Sequence, residues 1–487
     1  MPRLLLALLH TLLLVTAYAF NTSNVPDNLP DIPSNRVDLT RTLTDATTIA
    51  NTVAQVRQKA GASGNPNHPV PETVVTARDG KLTSKGQLTS NATSLAGLFE
   101  RSKRSPSDYI LVFGGSPVNS EARDASIEGT AYLTFTLVSN ATYNIGDCLA
   151  FCDSVRECVF ANIYYEFNND ALDHRESSNL KCAVYADTHT AAEKTNYGGQ
   201  QSEPLPAGLT YIQQSSGFSK RTLVDPTDPD GYSLVFGPTS GANNAPGYMG
   251  FSFLDRYDVA ACAKECNQRG ADGQGGACKY FNIWRAVVNG NPTTYTCSMY
   301  YLVADQSTAT NTGQGDLKVT YSRGYKRLSY AEDGGFESLQ KLCFGFCWTQ
   351  LDSSWAGINS FGGFDEAAIF YYTPYAHSGG VIGMLGSLGN YDNLPGTLTP
   401  VKPLKTVAGK KYLIEFFYAS TYSGSNKGAN AYVDVSWNGQ VVNTVKGYST
   451  WKPASVEVVG KGGDTIAFHG GAGSAIVFLD DVGVFQL

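Results

Sequence analysis

Ten cysteines are the most reactive side chains of this 487-residue chain. A thiolate can attack a carbonyl, hold a metal or exchange disulfides, and spacing narrows the choice. Cys148 and Cys152 are followed by Cys158 and Cys182, and Cys262 and Cys266 by Cys278 and Cys297. Four thiolates suit zinc, but zinc ligands come as tight pairs on both sides. Here the third and fourth cysteines of each set lie far apart, with unequal loops before the third. Cysteines at i and i+4 of a helix face the same way with β-carbons about 6 Å apart, too far for a bridge. Each must find its partner off the helix. Sequence alone leaves more than one connectivity open. The expected one is nested: Cys152–Cys158 inside Cys148–Cys182, and Cys266–Cys278 inside Cys262–Cys297. Each outer loop closure contributes roughly 3–4 kcal/mol in the chain-entropy model. Cys343 and Cys347 are expected to close a local loop through a turn at Phe344-Gly345-Phe346, which leaves no free thiol.

Other catalytic sets are missing. No Gly-x-Ser-x-Gly elbow occurs, and the six histidines (His10, His68, His174, His189, His377, His469) form no His-Glu-x-x-His motif. A glycosidase needs only two carboxylates about 5–9 Å apart, which 43 acids allow, but no motif selects a pair. The expectation is a protein that binds rather than catalyses.

The elements around these residues read as an exported, β-rich chain. Arg3, the apolar Leu4–Val15 and Ala17-Tyr18-Ala19 form a signal peptide over 1–19 with cleavage after Ala19. No other apolar run is long enough to span a membrane. A net charge of −7 offers no basic field for nucleic acid. An oxidising compartment permits the disulfides, and sequons at Asn21, Asn91 and Asn140 fit the same route. Residues 20–104 hold no aromatic between Phe20 and Phe99 and read as largely disordered, apart from an amphipathic helix over Asp45–Lys59 through Ile49, Val53 and Val56. The stretch ends in Lys103-Arg104, so a propeptide cut after Arg104 is expected. Lys220-Arg221 and Lys326-Arg327 occupy equivalent places in a repeat and read as basic strand ends.

That repeat pairs 105–221 with 222–327. Tyr109-Ile110-Leu111-Val112-Phe113-Gly114 matches Tyr232-Ser233-Leu234-Val235-Phe236-Gly237, and Phe160-Ala161-Asn162-Ile163 matches Tyr280-Phe281-Asn282-Ile283. The four cysteines keep their order in both copies. On cysteine order, helix spacing and duplication, the two copies resemble PAN/apple modules. The resemblance implies a small α+β unit, its helix stapled to an antiparallel sheet, that binds protein or carbohydrate. Tyr164, Tyr165, Tyr280 and Trp284 are candidates for a binding face, with about half of them expected in the core.

Residues 328–487 change texture to alternating strands and Gly-rich turns. Tyr412–Tyr418 and Tyr432–Trp437 are strands, the second followed by an Asn438-Gly439 hairpin turn. Alternation places Val433, Val435 and Trp437 on one face and Tyr432, Asp434 and Ser436 on the other. The first set reads as core, the second as exposed. An antiparallel sandwich follows. Gly334-Gly335-Phe336-Glu337, Ala376-His377-Ser378-Gly379-Gly380, Val407-Ala408-Gly409-Lys410-Lys411-Tyr412, Tyr448-Ser449-Thr450-Trp451 and Phe478-Leu479-Asp480-Asp481-Val482 resemble, in this order, the galactose-binding-like jelly-roll carbohydrate-binding modules. The resemblance implies a structural calcium ion at Glu337 and Asp480, whose oxygens suit a hard cation. It also implies a sugar site built on aromatics, for which Trp355, Tyr371, Tyr372, Tyr375, Tyr432 and Trp451 are candidates, with Asp434 beside them.

The expected whole is a multidomain protein: two α+β modules and an all-β jelly-roll sandwich behind a disordered segment. Its expected role is that of a secreted, non-enzymatic protein binding a polysaccharide or glycoprotein in a cell wall or matrix, with avidity available from three modules. The alternatives are a surface protein without sugar binding, or an accessory part of a carbohydrate-active enzyme system.

Overall fold

The computed structural model describes residues 34, 108–115, 124–129, 131–167, 178–199, 210–254, 256–342, 347–386, 394–422, 431–472 and 475–487. Ala19, Asn21, Asn91, Arg104, Cys343 and the 45–59 helix expectation lie outside them. Asn140 lies in the turn after the third strand and is half-buried.

The first module contains β1 (Tyr109–Phe113), β2 (Ser126–Ile127), β3 (Tyr132–Val138), α1 (Ile145–Ser154), β4 (Phe160–Phe167), β5 (Ser178–Tyr185), β6 (Lys194–Asn196) and β7 (Ile212–Lys220). Its antiparallel sheet runs β1-β7-β4-β5-β3. The second module repeats it with β8 (Tyr232–Thr239), β9 (Tyr248–Leu254), α2 (Val259–Gln268), β10 (Tyr280–Val288), β11 (Asn291–Tyr300) and β12 (Leu317–Arg327), in the equivalent order β8-β12-β10-β11-β9. Both helices begin at a side-chain cap: Asn144 Oδ1 accepts the Asp147 N–H, and Asp258 Oδ1 the Ala261 N–H. Ile145, Cys148, Leu149 and Cys152 form the buried stripe of α1, and Val259, Cys262, Ala263 and Cys266 that of α2.

All four nested bridges form: Cys148–Cys182, Cys152–Cys158, Cys262–Cys297 and Cys266–Cys278. Cys182 and Cys297 lie within β5 and β11, opposite Ile163 and Ile283. Cys347 is also disulfide-bonded. The duplication extends to polar pins. Buried Asn162 accepts the Ile127 N–H at 2.9 Å and donates to Ser215 Oγ and the Ser216 carbonyl. Asn282 does the same with the Asn243 N–H, Ser322 Oγ and the Arg323 carbonyl. Each fastens a covering segment over the sheet face opposite the helix. That cover buries Tyr164, Tyr280 and Trp284, while Tyr165 is buried on the helix side with Ile145 and Cys148; all four supply core, which corrects the expected binding face.

The third unit is the expected antiparallel sandwich, with strands β13 (Cys347–Thr349), β14 (Trp355–Ile358), β15 (Ala367–Tyr371), β16 (Val381–Leu385), β17 (Gly396–Pro400), β18 (Lys411–Tyr422), β19 (Tyr432–Trp437), β20 (Gln440–Lys446), β21 (Ser449–Val459), β22 (Ile466–Gly470) and β23 (Ala475–Gln486). One sheet runs β13-β15-β16-β23-β18-β21 and the other β14-β17-β22-β19-β20. Tyr412, Ile414 and Phe416 from the first meet Val433, Val435, Trp437, Leu398 and Phe468 from the second in the core. The six-stranded sheet buries its other face too, through Phe370, Met384, Phe417, Phe478, Tyr375 and Trp451. Among the described residues the five-stranded sheet keeps its outer face open.

The units are joined by buried polar contacts. Arg285 of the second module pairs with Asp187 of the first at 2.9 Å. Glu415, on β18 of the sandwich, accepts the Ala277 N–H at 2.6 Å and faces Lys279 Nζ at 3.3 Å, both in the second module. Arg327 is buried and donates to the Gln486 carbonyl at 3.0 Å. Lys326 and Arg327 end a paired strand, and Lys220 is held in register opposite Tyr109. Both dibasic pairs are therefore parts of folded structure: Lys326-Arg327 closes β12, whereas Lys220 ends β7 and Arg221 opens a short helix over Arg221–Val224. Among the described residues no helix is long and apolar enough to cross a membrane.

Candidate functional site

Strand alternation on β19 gives the first part of the site. Val433, Val435 and Trp437 are buried, and Tyr432, Asp434 and Ser436 face outward and are half-exposed. Cross-strand register then fixes their neighbours. Asp434 lies opposite His469 on β22 and Thr444 on β20. His469 lies opposite Thr397 on β17, which lies opposite Ile358 on β14. One row thus crosses all five strands of the open face. Thr444 Oγ1 donates to Asp434 Oδ1 at 2.6 Å, and Thr397 Oγ1 and His469 Nδ1 share a hydrogen bond of 2.8 Å. These bonds orient the row and, among the described residues, leave Asp434 Oδ2 and His469 Nε2 for another partner. The Tyr432 ring stands edge-on to the His469 ring at 6.4 Å.

Beyond Ile358 the β14–β15 loop carries Phe361 and Phe364, which are 105% and 60% exposed. Asn359 Oδ1 accepts from Gln350 Nε2 and from the Glu366 N–H, and Ser360 Oγ donates to the Pro395 carbonyl. The loop base is therefore tied on both sides, and its aromatics stand at the same end of the sandwich as Tyr432. A fixed ring face beside fixed donors and acceptors can stack on the apolar face of a pyranose and bond its hydroxyls.

Three candidate sugar platforms are corrected by their burial. Trp355 (0% exposed) donates its indole N–H to the Glu332 and Asp333 carbonyls inside the core. Trp451 donates to the Tyr375 carbonyl, and Tyr375 stacks on Phe478 at 4.7 Å. None of the three presents a ring face to solvent. Tyr371 and Tyr372 are half-buried and pack against the two cores. Tyr432 and Asp434 remain, joined by His469, Thr397, Ile358, Phe361 and Phe364, which sequence reasoning missed. The available signal was Ser360-Phe361-Gly362-Gly363-Phe364, two large apolar residues in a turn-forming stretch with no strand to bury them.

The predicted cation pair also meets in space. Asp480 Oδ2 accepts the His377 and Ser378 N–H groups at 2.8 and 3.1 Å. Glu337 Oε1 accepts those of Gly380 and Val381. Glu337 and Asp480, with Asp481, surround Gly335, where a Cβ would lie 3.7–3.8 Å from Glu337 Cγ and from Asp480 and Asp481 Oδ1. Glu337 Oε2 is buried and has no hydrogen-bond partner among the described residues. Burial, then the Asp333 and Asp481 charges, raises the Glu337 carboxyl above its ordinary value. Burial and the Asp481 charge push Asp480 well up. Burial opposes ionisation of Asp481, but the His377 hydrogen bond and the Lys279 charge hold it below its usual value. An orphaned carboxylate oxygen among hard donors fits a hard cation. Among the described residues, however, no group of three or more His, Cys, Asp or Glu side chains converges as a complete metal centre. Main-chain oxygens or water would have to finish the shell.

The described histidines away from the open face form no catalytic set. His189 and His377 are buried, bonded to Glu193 and Asp481 and packed against aromatics.

No family model and no curated protein matches the chain. Solved structures similar to it include the TmCBM61 module in complex with β-1,4-galactotriose, 17% identical over 33% of this chain and 99% of that one, at a TM-score of 0.24. A carbohydrate-binding module of Cellvibrio mixtus lichenase 5A with cellotriose is 16% identical over 27% and 97%, at 0.19. The exo-β-1,3-galactanase of Phanerochaete chrysosporium with galactose is 16% identical over 40% and 38%, at 0.20. At such scores the likeness assigns neither ligand nor activity to this chain.

Proposed function

We propose that this chain is a secreted, non-enzymatic glycan-binding or adhesion protein whose sandwich takes a cell-wall or matrix polysaccharide, or the glycan of a glycoprotein, on its open five-stranded face. The observation that carries the reading is the row Ile358–Thr397–His469–Asp434–Thr444 with the Tyr432 ring beside it. It combines an aromatic face, an anionic acceptor and an imidazole on rigid strands. The two cysteine modules, read as PAN/apple-like, add a second contact surface for protein or sugar. A calcium ion would be held by Glu337 and Asp480 and would brace the chain ends of the sandwich without taking part in recognition.

The test is an array of neutral polysaccharides, galactans and glucans among them, probed with the intact chain and with Tyr432→Ala and His469→Ala. The reading expects binding that each substitution weakens by about tenfold or more, roughly 1.4 kcal/mol, with unchanged melting. Binding that survives both substitutions would move the site elsewhere. Release of reducing sugar from a bound polysaccharide would favour a carbohydrate-active enzyme instead.

A further inference from the structure

Edge strands present outward N–H and C=O groups that must be bonded, blocked or left as a docking template. In the six-stranded sheet β21 is such an edge. Its pairing with β18 places Lys452, Ala454, Val456 and Val458 opposite Tyr418, Phe416, Ile414 and Tyr412. The alternate residues turn their main-chain polar groups outward. Several of these are already dealt with inside the sandwich. The Ser449 N–H donates to Ser420 Oγ at 2.8 Å. Pro453 has no N–H. The Ser455 carbonyl accepts from Asn443 Nδ2, and the Val459 carbonyl from Trp437 Nε1. The Trp451 N–H is different. It donates to the carbonyl of Ser34 at 3.1 Å, a residue from the far N-terminal side of the two cysteine modules.

We propose that the edge of β21 at Trp451 is a docking site for the chain's own N-terminal stretch, seated through Ser34. The occupant fits the site chemically. Asp31-Ile32-Pro33-Ser34-Asn35-Arg36-Val37 is short and polar, and a proline favours extended backbone while offering a carbonyl but no N–H. The edge matches it, since between the satisfied Ser449 and the blocked Pro453 the outward donor is the Trp451 N–H. The contact also bears on processing. Ser34 lies before Lys103-Arg104, so a cut there would separate the docked stretch from the modules without removing its hold on the sandwich.

Hydrogen exchange on the full chain, compared with a full chain lacking residues 31–37, tests this. The Trp451 amide is expected to exchange about tenfold faster in the deletion, while the Val433 amide in the core stays equally protected and reports intact folding. A synthetic peptide of residues 28–40 should restore slow exchange at Trp451. An unchanged Trp451 rate with Val433 still protected would overturn the proposal. So would failure of the peptide to restore protection after a loss on deletion. If deletion exposes Val433 as well, a photo-crosslinking residue is placed at position 34 of the full chain: a crosslink to β21 supports the assignment, and its absence refutes it.

Discussion

A tryptophan and a tyrosine in the same sandwich take opposite roles, and their surroundings decide which. Trp355 is enclosed with its indole N–H bonded to two carbonyls. Trp355→Ala should therefore cost about 3–5 kcal/mol in denaturant unfolding and change sugar binding only through stability. Tyr432→Ala should do the reverse. The alternation that separates Tyr432 and Asp434 from Val433 and Val435 is legible in the sequence because it is local. The burial of Trp355, Tyr375 and Trp451 is not, since all lie near strand ends or in connections where period-2 reading gives no face. His469 and Thr397 are equally hidden: their place beside Asp434 depends on pairing across three strands.

The carboxyls near Gly335 give a second prediction at this scale. Glu337 and Asp480 bind their protons more tightly in the folded chain than in the unfolded one. Their ionisation therefore subtracts stability as pH rises from about 4, the unfolded carboxyl range, through their raised folded values. A divalent cation would cancel that loss. Millimolar calcium should raise the melting temperature more near about pH 7 than near about pH 4. No calcium effect at either pH would rule the ion out.

Helix α1 and its copy α2 are readable as elements because the signals are short-range: an Asx cap, a buried stripe and cysteines four apart. That every helical cysteine pairs off its helix follows from geometry; which partner each takes is settled only by the fold. The cover over the opposite sheet face is not readable. Its fastening by Asn162 and Asn282 joins residues 35 to 54 positions apart in sequence. In the sequence both asparagines are ordinary repeat residues; three hydrogen bonds to each give them their role. Asn282→Ala should strand the Asn243 N–H and cost about 1–3 kcal/mol, measured by urea unfolding under non-reducing conditions. Asn282→Asp should not restore stability, because its carboxylate cannot donate to Ser322 Oγ and the Arg323 carbonyl.

At the scale of the whole molecule, the second module and the sandwich share a buried charge pair. Glu415 is 1% exposed, and its partners Ala277 and Lys279 lie well over a hundred residues earlier. Nothing in the sequence marks Glu415, one acid in a β-strand, as an interface residue. Lys279 keeps some contact with solvent, so Glu415→Gln should cost no more than about 3 kcal/mol, the low end for breaking a buried pair. Calorimetry should show one transition for the native chain and a separate, earlier transition for one unit in the variant. A single unshifted transition would mean the pair does not hold the units together.

The junction to the second module runs through Glu415 on β18 and Gln486 on β23 of the six-stranded sheet, not through the open face. Hydrogen-exchange footprinting of the intact protein, saturated with whichever polysaccharide it binds, reports directly where the glycan sits. The account predicts slowed exchange confined to segments carrying Thr397, Tyr432–Asp434 and His469, together with the loop of Phe361 and Phe364. Protection that falls instead on the cysteine modules, or on the six-stranded sheet with the open face unchanged, would contradict it.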